Sequence, residues 1–156
     1  MTVREQKRGR KIAMTDEERN AFLASERTCR VGTVGADGAP HVVPLWFVWD
    51  NTSFWLYSIV KSQRWTDLLR DPRVSIVVDA GIDYFELRGV EIIGTAVPVG
   101  EIPRVGEPNE ELAAVEALHG PKYGIPADFS YDQRHAWLKV TPSKIVSWDF
   151  RKLASL

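Results

Sequence analysis

The sequence contains only one cysteine, Cys29, in 156 residues. One thiol cannot form an intramolecular disulfide, and it cannot supply the several cysteines of a structural zinc or iron–sulfur site. The three histidines, His41, His119 and His135, stand at unrelated spacings and form no HExxH or Cys-His ligand pattern. We therefore expect no metal site, and we expect the histidines on the surface or satisfied within the fold.

Long apolar runs and common nucleotide or hydrolase signatures are missing as well. No apolar run approaches the roughly 20 residues that a membrane-spanning helix needs, and the N-terminus has no apolar signal core. There is no GxGxxG after a strand, no P-loop and no GxSxG elbow. With 44% hydrophobic and 26% charged residues, the chain has the composition of one globular domain, which we expect to be cytoplasmic.

Positive charge is concentrated at the N-terminus. Residues 1–14 carry five Lys and Arg against one Glu, a net charge of +4 in a chain whose total is −1, which leaves −5 for the remainder. The body has no basic stripe, so we expect no nucleic-acid partner. We predict a flexible basic tail at 1–14 and a single domain at 15–156, with a flap over an anionic ligand as the alternative role of the tail.

The hydrophobic pattern predicts a mainly β domain with short peripheral helices. Thr15 and Glu18 fit a capping box, and further helices are predicted at 62–70 and from Asn109 to Leu118, the last ending at Gly120-Pro121. The strand-like runs are 28–34, 41–50, 53–58, 74–78, 84–97, 136–140 and 144–150.

Most connections between these runs are too short for crossover helices. The prediction is therefore an antiparallel β-barrel or sandwich rather than a parallel sheet. The first three runs are expected as a meander. The last two runs are expected as a closing hairpin around Thr141-Pro142-Ser143.

The segment Lys61-Ser62-Gln63-Arg64 places two cations and a hydroxyl group at a predicted helix start. A helix N-terminus has unpaired backbone N–H groups and a positive dipole end, which favour an anion. We interpret the segment as a phosphate seat. The alternative is structural: Ser62 caps the helix, and Lys61 and Arg64 are solvated charges.

Pro44 interrupts a run that otherwise reads as a strand. A proline donates no ladder hydrogen bond, so it belongs at a sheet edge or bulge, where a neighbouring peptide can face a ligand. An ordinary edge-strand proline, with the nearby tryptophans in the core, is the alternative interpretation.

Several stretches taken together resemble the pyridoxamine 5′-phosphate oxidase-like split β-barrel superfamily: CRVGTVGADGAPHVVPLWFVWD, SFWLYS, KSQRWTDLLRDPRVSIVVD, LRGVEIIGTA and KIVSWDFRKL. They are most similar to its flavin/deazaflavin oxidoreductase branch B, many of whose members use the deazaflavin coenzyme F-420. In the superfamily a Ser-x-Lys pattern after the third strand holds the cofactor phosphate. Here the pattern is Ser62-Gln63-Arg64, and the planar fork of an arginine also suits phosphate.

The resemblance implies a split β-barrel homodimer with two cofactors in grooves at the subunit interface. Carried over to this sequence, the ring would rest on Val42, Val43, Pro44, Leu45 and Trp46, and Tyr57 and Ser58 would lead into the seat at Lys61, Ser62 and Arg64. Arg88 and Trp148 are either packing residues or contacts to the partner's cofactor. The second strand is nearly neutral, unlike that of oxidases acting on pyridoxamine phosphate, which argues against vitamin B6 oxidation.

The leading hypothesis is a homodimeric oxidoreductase that binds reduced coenzyme F-420 and passes a hydride to an unsaturated organic acceptor. Cations near the seat (Lys61, Arg64 and Arg73) favour this cofactor, whose phosphate continues into an acidic polyglutamate tail. Two alternatives stay open: an FMN-dependent oxidase or reductase using the same groove, and a protein that binds flavin, deazaflavin or haem without turnover. No residue is predicted as a catalytic acid or base.

Overall fold

The computed structural model describes residues 2–126 and 131–155. Within these residues there are seven strands: β1 Thr28–Val34, β2 Pro40–Trp46, β3 Val48–Trp49, β4 Phe54–Ile59, β5 Arg73–Ala80, β6 Arg88–Val99 and β7 His135–Asp149. The same ranges contain three α-helices, α1 Asp16–Ser25, α2 Gln63–Arg70 and α3 Glu110–Tyr123, and 3₁₀ turns at Arg10–Ile12, Tyr84–Glu86 and Phe150–Ser155. The capping box predicted at Thr15 and Glu18 begins α1, as expected.

The strands form one antiparallel sheet in the order β2-β1-β5-β6-β7-β4-β3. β2 and β3 lie at opposite edges of this order, yet only Phe47 separates them along the chain. The sheet therefore curls until its two edges meet. Phe47 is buried at this junction and stacks on Phe54, with the ring centroids 4.6 Å apart. The prediction of a mainly β split barrel with short peripheral helices is confirmed.

Side chains alternate between the two faces of the curled sheet, as strand geometry requires. One face encloses the main core, which includes Val31 of β1 and Ile76 of β5, both fully buried. A smaller apolar cluster lies on the other face, where α3 packs on β4 and β7: Val48, Trp55, Leu112, Val115 and Trp137. The residues of β4 therefore contribute to both clusters.

The predicted closing hairpin is wrong. Residues 135–149 form one strand, β7, and both halves of it pair with β6. The pairing skips Ser143, so that Pro142 lies opposite Gly94. A Cβ atom on Gly94 would lie 2.3 Å from the Thr141 carbonyl oxygen, so glycine is needed at this close approach. A β-bulge accommodates Pro142 within the strand, although the local sequence alone predicts a turn there.

Two other predicted boundaries are also wrong. The run 41–50 is two strands, and because β2 pairs with β1 while β3 pairs with β4, the first three runs are not one meander. Helix α3 does not end at Gly120-Pro121. It continues to Tyr123 and ends at Gly124, whose φ of 67° is left-handed. Contacts of Tyr123 with β2 and Phe47 hold this additional turn in place.

Residues 2–14 run beside β7. The Arg4 N–H donates to the Ser143 carbonyl at 2.8 Å, and the Gln6 side chain bonds both backbone polar groups of Ser147. The flexibility expected of this segment stays a prediction. No helix in the described ranges is long and apolar enough to cross a bilayer.

Candidate functional site

Ser58, Ser62 and Arg64 meet where β4 ends and α2 begins. Ser62 is the N-cap of α2, and its Oγ accepts a hydrogen bond from Trp65 N at 3.2 Å. Arg64 Nε donates to Ser58 Oγ at 3.1 Å, and the two serine Oγ atoms are 3.5 Å apart. The structural interpretation of this segment is therefore correct in one respect, because Ser62 caps α2. Arg64, however, is partly buried and bonded to the end of β4, which a solvated first-turn charge would not be.

The Arg64 guanidinium has no carboxylate partner among the described residues, where the arginine ion pairs involve other side chains. Burial lowers the pKa of Arg64 from its ordinary value, although the group stays protonated at neutral pH. Lys61, three residues before it, is exposed. A partly buried cation beside two hydroxyl groups at a helix N-terminus is suited to an anion such as a phosphate.

The exposed face of β2 presents apolar groups. Val42, Pro44 and Trp46 are exposed, Val42 by 63% and Trp46 by 49%. Among the described strands β2 pairs only with β1, so the edge position predicted from Pro44 is confirmed. Val43 and Leu45 face the opposite side, and Leu45 packs on the main core. Of the five residues expected to line a ring, three form the exposed face and two support it from behind.

Trp46 is held in a fixed orientation at the end of this face. Its ring stacks on Tyr123 of α3, with centroids 4.1 Å apart and planes 10° from parallel. The Arg27 guanidinium lies 5.8 Å from the Trp46 centroid and 5.3 Å from that of Tyr123. A half-exposed indole fixed by stacking, with a cation beside it, can support a flat ring.

Tyr57 and Ser58 point to opposite faces of β4, so only Ser58 reaches the seat. The expectation that both lead into it is corrected here. Tyr57 instead faces α3, with its ring 5.6 Å from that of His119 and 4.6 Å from that of Trp137. Its hydroxyl group is buried without a hydrogen-bond partner among the described residues, and burial raises the pKa of this phenol.

Arg88 and Trp148 lie far from Ser58 along the sheet. Ser58 pairs with Ala136, and Trp148 is twelve residues further along β7, about 40 Å of strand at roughly 3.3 Å per residue. The Trp148 ring covers Gly89, where a Cβ atom would lie 2.4 Å from it. The Arg88 guanidinium donates to a backbone carbonyl at 3.1 Å. Within one chain neither residue contacts the seat, so a role at the cofactor would require a second chain.

Lys122 and Tyr123 were not among the predicted site residues, because the helix was predicted to end before them. Lys122 Nζ lies 3.7 Å above the centroid of the Phe47 ring and donates to the Leu23 carbonyl at 3.0 Å. Burial lowers the pKa of Lys122 to about 8. The helical spacing from Val115 to Tyr123 was the signal that could have extended the helix.

A family model described as pyridoxamine 5′-phosphate oxidase matches residues 15–149. Among solved structures, the conserved hypothetical protein Rv2991 from Mycobacterium tuberculosis is 30% identical with a TM-score of 0.76, over 96% of this chain and 93% of that chain. No curated protein matches the sequence.

Two further structures show likeness of fold alone. An F-420 reductase is 21% identical with a TM-score of 0.59, over 81% of this chain and 94% of that chain. The heme storage protein HutZ from Vibrio cholerae is 19% identical with a TM-score of 0.64, over 84% of this chain and 93% of that chain.

Proposed function

The chain belongs to the pyridoxamine 5′-phosphate oxidase family, and from this premise we propose that it is a homodimeric oxidoreductase that binds coenzyme F-420 and transfers a hydride to an unsaturated organic acceptor. The observation that carries the proposal is the Arg64 guanidinium, which is partly buried beside Ser58 and Ser62 and has no carboxylate partner in the described ranges. A cofactor phosphate would supply the missing negative charge.

The residues present fit a cofactor that has a flat ring and a phosphate. Ser58, Ser62 and Arg64 would hold the phosphate, and Val42, Pro44 and Trp46 would support the ring. Because β2 pairs on one side only among the described strands, backbone groups on its other side could bond the ring edge. When bound, the reduced deazaflavin supplies the hydride, while the protein contributes binding, orientation and exclusion of water.

Charge near the seat supports the choice of coenzyme F-420 over FMN. Lys61 is exposed beside the seat, and Arg27 stands by Trp46 without a carboxylate partner among the described residues. These cations could bind the acidic tail that FMN lacks. Arg73, which the sequence also suggested, is not available, because it pairs with Asp71 at 2.6 Å.

Parallel titrations of the apoprotein with coenzyme F-420, FMN and haem would test the cofactor. We expect coenzyme F-420 to bind most tightly, and we expect its affinity to fall with ionic strength more steeply than that of FMN, because salt screens the additional charge pairs. Tighter binding of FMN or of haem would contradict the deazaflavin assignment.

Turnover needs a separate measurement. Mixing the protein with reduced coenzyme F-420 and a panel of quinones, enones and tetrapyrroles, without nicotinamide, should give acceptor-dependent reoxidation of the cofactor. Tight binding without any acceptor-dependent reoxidation would favour a carrier over an enzyme.

The substitution Arg64→Ala tests the phosphate seat. We expect it to weaken binding of coenzyme F-420 by about 1.5–3 kcal/mol, the range of a hydrogen bond to a charged group, with the melting temperature of the apoprotein nearly unchanged. Arg73→Ala is the matched control, since that arginine is exposed and already paired. Equal affinities of the two variants would show that Arg64 does not bind the phosphate.

A further inference from the structure

A second pocket, of about 540 Å³, lies between α3 and the face of the sheet that α3 covers. Tyr57 of β4, His119 of α3 and Trp137 of β7 form its aromatic walls, and the remaining lining includes Ala117, Gly120, Pro121, Ile125 and Pro126. None of the residues assigned to the phosphate or to the ring of the cofactor lines it, apart from Tyr57, which points away from the seat. Its volume lies in the range of small-molecule sites.

The aromatic rings of the pocket pack on one another at fixed angles, with Tyr57 and His119 partly exposed and Trp137, only 1% exposed, as the support beneath them. The Tyr57 and Trp137 centroids are 4.6 Å apart, and His119 meets Trp137 edge-on at 5.1 Å. His135 stacks on Tyr57 at 4.9 Å, with the planes 19° from parallel. Side chains that already pack on one another in this way lose little freedom when a planar ring is added to the stack.

The one acidic side chain in the described lining, Glu116, is paired with a buried arginine. Glu116 accepts hydrogen bonds from Arg104 through both carboxylate oxygens, at 3.0 and 2.9 Å, and also from Trp137 Nε1 at 3.1 Å and the Tyr131 hydroxyl at 3.1 Å. Arg104 is only 3% exposed. Arg104 also pairs with Glu101 at 2.6 Å, so this group of one cation and two carboxylates keeps a net negative charge, which disfavours an anionic ligand. The four hydrogen bonds that Glu116 accepts leave its carboxylate poorly placed to bind a cation.

His119 provides a polar group that a ligand could reach, whereas the unpartnered Tyr57 hydroxyl group is buried. Its ring contacts the rings of Tyr57, Tyr123 and Trp137, and no hydrogen bond to its imidazole occurs in the described part of the chain. Burial lowers the pKa of His119, which favours the neutral imidazole. A neutral imidazole offers one N–H donor and one acceptor nitrogen, which suit a hydroxyl or carbonyl group.

We propose that this pocket binds a neutral, planar aromatic molecule of about two fused rings, packed against Tyr57 above the buried Trp137 and hydrogen-bonded to His119 through a hydroxyl or carbonyl group. The binding requires no flavin or deazaflavin. The pocket is therefore separate from the proposed cofactor site, and a test of ligand binding in one does not decide binding in the other.

Isothermal titration calorimetry of the full-length apoprotein with three probes tests the ligand class. We expect 2-naphthol to bind at least tenfold more tightly than naphthalene-2-sulfonate, which is charged, and decahydro-2-naphthol, which is not planar. Equal affinity of the sulfonate would overturn the requirement for neutrality, and equal affinity of the saturated alcohol would overturn the requirement for a flat ring. Absence of 2-naphthol binding would overturn the site.

Substitutions of pocket residues test whether 2-naphthol binds in this pocket. Among the described residues, a Cβ atom at Gly120 would meet only the Ile125 carbonyl oxygen within 4 Å, at 3.7 Å. Gly120→Phe should therefore be accommodated and should fill the pocket, with a loss of 2-naphthol affinity of at least tenfold. His119→Phe keeps a ring but removes the hydrogen bond, and we expect an affinity about fivefold weaker. Leu118→Ala, at an exposed position of the same helix, is the control.

The melting temperature of each variant reports whether it folds, and titration of Gly120→Phe with coenzyme F-420 separates this site from the cofactor site. We expect the Gly120→Phe variant to lose 2-naphthol while its affinity for the cofactor is unchanged. Wild-type affinity for 2-naphthol in both Gly120→Phe and His119→Phe would place the ligand elsewhere and refute the proposal.

Discussion

At the scale of single residues, Tyr123 connects α3 with Arg27, just before β1, and with Phe47, at the junction between the sheet edges. Its hydroxyl oxygen accepts from Phe47 N at 2.9 Å and lies 2.7 Å from the Arg27 carbonyl and 2.9 Å from the Phe47 carbonyl, to one of which it donates. The ring supports Trp46 from behind. One side chain therefore links barrel closure to the aromatic end of the β2 face.

Tyr123→Phe keeps this stacking and removes the hydroxyl group. We expect the free energy of unfolding to fall by about 1–3 kcal/mol, because the buried Phe47 N–H loses its partner. Urea denaturation measures the change. Tyr84→Phe, at an exposed tyrosine, should change stability by less than about 0.5 kcal/mol. Equal small effects at both positions would contradict the linking role.

Lys122 should make stability depend on pH in the alkaline range. Burial lowers its pKa from 10.5 to about 8, so between these values the unfolded chain binds a proton that the folded chain has lost. The contribution of Lys122 to the free energy of unfolding therefore rises as the pH increases through this window and is constant below it. Nearby charges are those of Glu26 and Arg27, while burial raises the pKa of Cys29 to about 12 and keeps it a thiol in the folded chain.

Unfolding of the wild-type chain and of Lys122→Met, compared at pH 7, 8, 9 and 10, measures this contribution. The difference in free energy between them should shift in favour of the wild type above about pH 8. A difference that stays constant with pH would show that Lys122 titrates normally. Groups that titrate in both proteins, such as Cys29, cancel in the comparison.

At the scale of elements, the N-terminus of α2 has both a structural and a proposed binding role, and two substitutions at Ser62 separate them. Ser62→Ala removes the cap and should lower the free energy of unfolding by about 1 kcal/mol. Ser62→Asp keeps a good cap, so stability should change by less than about 0.5 kcal/mol, but it brings a negative charge beside Arg64.

The two variants should therefore rank in opposite order for the two properties: Ser62→Asp is expected to be the more stable, and Ser62→Ala is expected to bind coenzyme F-420 more tightly. We expect Ser62→Asp to bind the cofactor at least tenfold more weakly than Ser62→Ala, because a carboxylate repels the phosphate. Calorimetric titration of both variants, with melting curves alongside, measures the two effects. Binding that follows stability instead would show that Ser62 is only a cap.

At the scale of the whole molecule, the exposed face of β2 predicts a homodimer. Val42 and Trp46 are large apolar side chains that remain exposed on an edge strand, a surface that soluble monomers usually cover. Light scattering should give twice the monomer mass, and Val42→Lys should shift the population towards the monomer. Val105→Lys, which changes another exposed valine, in a loop, should not. A wild-type monomer with full cofactor affinity would refute a shared groove.

Features that depend on neighbouring residues could be read from the sequence. The capping box at Thr15, the strand Thr28–Val34 and the Ser62 cap of α2 arise from backbone preferences and alternation within a few residues, and the structure has them as predicted. The fold class also followed, because the order of short strands and turns excludes crossover connections. The two cations and the hydroxyl group of Lys61, Ser62 and Arg64 at a helix start were enough to suggest the seat, and Ser58 was added by the family resemblance.

Features that depend on contacts between distant segments were decided only by the tertiary structure. Pro142 lies within β7 because Gly94 of β6 accommodates the bulge, and α3 continues past Pro121 because Tyr123 bonds Phe47. Alternation along β4 already separates Tyr57 from Ser58, but only the packing of α3 on the sheet decided which of the two faces the helix covers. Local preferences of about 1 kcal/mol suffice to define caps and strands, whereas pockets and sites require non-local packing, which the sequence does not display.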